Sequence, residues 1–123
     1  MKPDTLDARI RTNLGGLTAE QAAELTRALE HLIRALGPER IYVFGSHARG
    51  DATAASDVDL FVIVPDSDAP AHRRARSAYE AVGPHQLPLD ILVMPRAEFE
   101  QRSAARSSLP ATVLREGRLL YAA

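Results

Sequence analysis

The chain has 123 residues, 46% of them apolar and 25% charged, the balance of one soluble globular domain large enough to bury a core. A formal net charge of −1 and only 5% aromatic residues supply neither a basic field nor stacking platforms, which disfavours general binding to nucleic acid or to an anionic membrane. The absence of cysteine excludes a disulfide framework and any thiolate metal site. The longest apolar run, Leu60 to Val64, is far too short to span a bilayer, and no signal peptide is visible, so a cytoplasmic protein is expected.

Residues 1–17 are weakly patterned and read as an N-terminal arm, with one helical turn around Asp7 to Leu14 closed by Gly15-Gly16. Thr18-Ala-Glu-Gln21 is a capping box, and Ala22, Leu25, Leu29, Leu32, Ile33 and Leu36 follow at helical spacing until Gly37-Pro38. Arg40 to Phe44 is β-branched and aromatic and reads as the first strand. A motif loop with a short helical turn begun by Ser46 fills residues 45–56, and Asp57 to Val64 is the second strand. Past Asp59 that strand is apolar on both faces, as a strand in the middle of a helix-covered sheet must be.

Pro70 suits the first turn of a helix whose stripe is Ala71, Ala75, Ala78, Tyr79 and Val82, closed by Gly83-Pro84. Leu87 to Met94 is the third strand. Pro95 opens a helix through Arg102, Leu109 to Glu116 forms another, and Arg118 to Tyr121 adds a short edge strand. The fold class expected is α/β of the α+β type: a small mixed sheet of three to four strands with helices packed on it, in a single domain spanning residues 1–123.

The chemistry concentrates between Gly45 and Asp59. Ser46 stands at the end of the first strand, while Asp57 and Asp59 stand at the start of the second. Antiparallel pairing of these strands brings the three together. The helix between the second and third strands implies a parallel crossover, which delivers Asp90 to the same end. Asp66 and Asp68 follow the far end of the second strand, about 20–25 Å away at roughly 3.3 Å per residue, and read as turn and helix-start residues.

Three carboxylates at one point repel each other unless neutralised, and hard oxygen ligands select Mg²⁺ or Mn²⁺ over zinc. Backbone N–H groups after Gly45 suit the phosphates of a nucleotide, with Ser46 donating its hydroxyl and Arg49 assisting. Asp51 reads as a turn residue and His47 as an exposed loop histidine. Arg73, Arg74 and Arg76 read as a solvated helix face.

At Gly45-Ser46, ten intervening residues, Asp57-Val58-Asp59 and the later Leu89-Asp90-Ile91, the chain resembles the minimal nucleotidyltransferases of the DNA polymerase β-type superfamily. Ala48-Arg49-Gly50 and Ser56 to Leu60 are similar to that family too. The resemblance implies a polymerase β-like fold and transfer of AMP from ATP to an acceptor hydroxyl, assisted by two Mg²⁺ ions and releasing pyrophosphate. It assigns Asp57 and Asp59 to both metals, and Asp90 to the catalytic metal and to deprotonation of the acceptor. Gly45, Ser46 and Arg49 would hold the nucleotide.

Many stand-alone members pair with a HEPN-domain toxin, some by adenylylating its tyrosine. The resemblance therefore implies a type VII-like antitoxin with a HEPN partner, no DNA and no membrane, and leaves an oligomer open. Two alternatives stand beside it: a non-catalytic module that neutralises its partner by occlusion, and a transferase acting on a small antibiotic-like hydroxyl compound. The chain has no room for an added acceptor-binding domain, so a partner is expected to supply the acceptor surface.

Overall fold

Four strands, β1 (Arg40–Phe44), β2 (Val58–Val64), β3 (Leu89–Pro95) and β4 (Arg118–Ala122), form one mixed sheet in the order β3-β2-β1-β4. The computed structural model describes residues 5–53 and 55–123; residues 1–4, where the expected arm begins, and Ala54 in the motif loop lie outside the described residues. β1 pairs antiparallel with both β2 and β4, and β2 pairs parallel with β3. The mixed sheet and the central place of β2 are as the apolar runs imply, because only an internal strand can bury both of its faces.

Alternation along β2 divides the core in two. Val58, Leu60, Val62 and Val64 face the larger cluster, with Ile41, Val43, Ile91 and Leu120 from the neighbouring strands. That face is covered by α1 (Leu6–Asn13), α2 (Ala19–Leu36) and α4 (Ala71–Val82), which contribute Ile10, Leu25, Leu29, Leu32 and Ala78. Phe61 and Ile63 face the smaller cluster with Tyr42, Phe99 and Val113, covered by α5 (Arg96–Ser103) and α6 (Leu109–Glu116). There Phe61 and Phe99 meet edge to face at 5.5 Å, and the Arg40 guanidinium lies 5.5 Å from the Phe99 ring centroid, so the cation closes over an aromatic pair.

Local signals set the helix ends. Thr18 Oγ1 accepts from the Gln21 N–H at 3.0 Å while Gln21 Oε1 accepts from the Thr18 N–H at 2.9 Å, and Gly37 ends α2 in the left-handed region at φ 56. Glu24 on α2 accepts from the N–H groups of Gln86 (2.7 Å) and Leu87 (3.1 Å), fixing the approach to β3. Asp66 accepts from the Ala97 N–H at 2.9 Å, so it serves a helix start as expected; the helix is α5, brought close by the β2–β3 pairing. β2 begins at Val58, one residue after the expected Asp57, and β3 at Leu89, two residues after the expected Leu87.

The helical segment expected around Asp7 to Leu14 forms α1 over Leu6–Asn13, longer than a single turn and capped by Thr5, and Ile10 and Leu14 are buried against the main core. Its amphipathicity is confined to a few positions, so its place depends on contacts with α2 and β4 rather than on a stripe of its own.

Candidate active site

β1 ends at Phe44 and the chain then reverses through Gly45, at φ 74 and ψ −151, into the four-residue α3 (Ser46–Arg49). That conformation is essentially restricted to glycine. A second reason for glycine is contact: a Cβ on Gly45 would overlap Oδ2 of Asp59 and lie 3.2 Å from its Cγ. The turn of the motif thus packs its backbone directly against one of the motif carboxylates. Gly50, at φ 85, closes α3, and its N–H donates to the Ser46 carbonyl at 3.0 Å.

Strand register brings the other groups in. Phe44 faces Asp59 across the antiparallel ladder, and Asp59 faces Asp90 across the parallel one. Side chains in register on adjacent strands, about 4.8 Å apart, project to the same face. The Val58 N–H donates to the Pro88 carbonyl at 2.9 Å, pinning β2 against β3 at this end. Asp57, one residue before β2, is exposed and makes no hydrogen bond or ion pair among the described residues.

The charge left at this edge is large. Burial raises the pKa of Asp59 above its ordinary value; the Asp90 and Asp57 carboxylates raise it further, while His47 and Arg49 oppose them. The Asp57 and Asp90 carboxylates thus lie near enough to act on Asp59. They are not drawn onto one point: among the described residues no three His, Asp or Glu side chains are set close enough to hold a metal ion. Asp90 instead takes a 3.5 Å contact from the Tyr79 hydroxyl, which also accepts from the Ile91 N–H at 2.8 Å.

The remaining motif residues are less engaged. The Ser46 hydroxyl takes no protein hydrogen bond among the described residues, and Gly45, not Ser46, occupies the cap position of α3. Arg49 pairs with Asp51 at 3.3 Å, with both side chains at least half exposed, so the pair contributes little and Arg49 can turn to another anion.

Three residues have places that sequence reasoning missed. His47, read as exposed, is only 6% exposed. Tyr79, read as core, is 39% exposed and spends its hydroxyl on the edge of β3 beside Asp90. Arg118 reaches from β4 to donate its Nε to the Ala48 carbonyl at 2.9 Å, clamping α3 from behind. The helical spacing of Tyr79 with Ala78 and Val82 points it at the sheet; only the placement of β3 as an edge strand shows what its hydroxyl meets.

A family model described as a nucleotidyltransferase domain matches residues 24–120, from α2 into β4. The chain belongs to the nucleotidyltransferase domain family. Membership supports nucleotidyl transfer as the general activity. Among solved structures, a protein from Sulfolobus solfataricus, titled provisionally as a nucleotidyltransferase, aligns with a TM-score of 0.50 and 20% identity over 78% of this chain and 87% of that one. That likeness is one of fold: a four-stranded mixed sheet with helices on it. No curated protein matches this chain. Among the described residues no helix is long and apolar enough to cross a membrane.

Proposed function

We propose that this nucleotidyltransferase transfers AMP from ATP to a hydroxyl on a partner protein, with Asp57, Asp59 and Asp90 as its metal-binding and catalytic carboxylates. The observation that carries the reading is the register of Phe44, Asp59 and Asp90, which sets a glycine turn against one carboxylate and a second carboxylate beside it. The donor set suits Mg²⁺ or Mn²⁺: every candidate ligand is a carboxylate oxygen, and the Asp59 pKa is raised by burial and then by the neighbouring carboxylates, the part that a bound cation would relieve. Asp57 and Asp59 would hold two such ions, with Asp90 on the one nearer the acceptor. Bound there, the ions would supply charge neutralisation for the reacting phosphate.

The chain's own residues do the rest. The N–H groups following Gly45 and the free Ser46 hydroxyl donate to phosphate oxygens, and Arg49 pairs with the leaving group. Asp90, exposed at the edge strand, takes the proton of the acceptor hydroxyl. The oxygen so freed bonds to the α-phosphorus, and the bond from the α-phosphorus to the bridging oxygen breaks as pyrophosphate departs. Leu92, two residues along the same face and 39% exposed, gives an incoming acceptor an apolar foothold.

By its resemblance to the minimal nucleotidyltransferases, the acceptor is a tyrosine of a HEPN-domain toxin, and the protein acts as its antitoxin. Incubation with α-labelled ATP, Mg²⁺ and the product of the neighbouring gene is the test. Label on a partner tyrosine is expected, lost with Asp57→Asn plus Asp59→Asn. Neutralisation of the partner that survives this double substitution would refute the catalytic reading and favour occlusion.

A further inference from the structure

We propose that a second cleft, between the α1–α2 turn, α3 and the start of β4, binds a small phosphate-type anion. The cleft encloses about 420 Å³, within the range of small-ligand sites, and is lined by Thr12, Gly15, Gly16, His47 and Arg118 among others. None of Ser46, Arg49, Asp57, Asp59 or Asp90 lines it; His47 also acts on Asp59, so the cleft backs onto the carboxylate edge, but the inference does not depend on the adenylylation reading.

The cleft is unusual in what it leaves unsatisfied. His47 is 94% removed from solvent when its 6% exposure is subtracted from the whole, yet neither Nδ1 nor Nε2 has a hydrogen-bond partner among the described residues. Burying an unpaired polar group is costly, and a ring with both nitrogens unpaired has lost every bond it can make. Both nitrogens are closed off from solvent, so a ligand that bonds either one turns the ring toward the cleft, where imidazole offers at least one N–H in either protonation state.

Several of the other groups around His47 can donate. Arg118 spends only its Nε, on the Ala48 carbonyl at 2.9 Å, leaving its Nη groups without a protein partner among the described residues. The Gly15 and Gly16 amides and the Thr12 hydroxyl likewise donate to no protein acceptor among those residues. Among the described residues no carboxylate lines the cleft. An imidazole, a guanidinium, two glycine amides and a hydroxyl around a pocket without acidic residues select an anion, and the planar guanidinium fork matches a phosphate's paired oxygens. The α1–α2 turn belongs to the segment that reads in the sequence as a loose arm, so the cleft exists only because α1 docks on the core.

Titration of the full chain with inorganic phosphate and with pyrophosphate, at ionic strength held constant with chloride, tests the site while NMR follows the His47 ring. A saturable shift of the His47 resonances with either anion is expected, accompanied by a rise in Tm. Binding should weaken about tenfold or more in Arg118→Gln and in His47→Phe, the loss of a charge-assisted or buried hydrogen bond, and persist in Ser46→Ala plus Arg49→Ala. His47→Phe keeps the ring volume, so it separates ligand binding from packing if Arg118→Gln does not fold. A merely structural His47 predicts the same anion-induced rise in Tm with phenylalanine in its place, and that result would overturn the proposal. Absence of saturable binding in the unsubstituted protein, or a response confined to Ser46 and Arg49, would overturn it equally.

Discussion

Substituting Gly45 by alanine probes the contact on which the candidate active site is built. At φ 74 and ψ −151 an L-residue sits in a region that costs about 1–3 kcal/mol. The new Cβ also overlaps Oδ2 of Asp59. Because that atom is the end of a rotatable side chain, the overlap is relieved by turning Asp59 off its preferred rotamer, at roughly 0.5–1.5 kcal/mol. The sum, about 1.5–4.5 kcal/mol, leaves a protein of ordinary stability folded but lowers its urea midpoint by roughly 1–2 M.

Nucleotidyl transfer should fall further than the loss of folded protein explains, since the relieved clash displaces Asp59. Repeating Gly45→Ala in an Asp59→Ala background removes the steric part and leaves the backbone part. Urea denaturation of the four proteins closes the cycle. A Gly45→Ala protein within about 0.5 kcal/mol of the parent would refute the reasoning, below the range given for such backbone positions. An identical cost in both backgrounds would show that Asp59 is not what the glycine accommodates.

Other consequences follow from the same geometry. Asp59→Asn should stabilise the metal-free protein at neutral pH, because the raised pKa of Asp59 is a penalty on the folded state wherever the group is ionised. That penalty is full above the folded pKa and disappears as pH falls to the unfolded value, so the advantage of the variant in urea melts should shrink on acidification; a constant or absent advantage contradicts it. Tyr79→Phe removes the acceptor of the Ile91 N–H and should cost about 0.5–1.5 kcal/mol, with faster amide exchange at Ile91. Exchange unchanged at Ile91 would contradict the edge bond. Phe99→Ala, at a side chain 1% exposed between Phe61 and Arg40, should cost about 3–5 kcal/mol by thermal or urea unfolding.

Most of the architecture is legible in the chain because local signals and tertiary packing agree. Thr18 with Gln21 starts α2 and Gly37 ends it, the apolar run from Leu60 makes β2 internal, and the crossover through α4 sets β3 parallel to it. The convergence of Asp59 and Asp90 follows from that polarity alone. What the sequence conceals depends on long-range contact. Ile10 and Leu14 are too few to announce a packed helix, yet their docking turns the Gly15-Gly16 stretch into a cleft wall. His47 lies in a polar loop motif, and it is burial beside α1 and β4 that makes it an unpaired core histidine. Side-chain directions at the edge are equally hidden: Asp90 shares a register with Asp59 but meets the Tyr79 hydroxyl, which belongs to another element.

The central claim is that the edge formed by Asp57, Asp59 and Asp90 binds nucleotide together with a divalent cation. Electron paramagnetic resonance of Mn²⁺ in the presence of ATP measures this directly, as the free-ion signal is lost on binding. Saturable, ATP-dependent Mn²⁺ uptake is expected from the unsubstituted protein, competed by Mg²⁺ and abolished by Asp59→Asn or by Asp57→Asn. Uptake that persists unchanged in both variants, or no ATP-dependent uptake at all, would contradict the account.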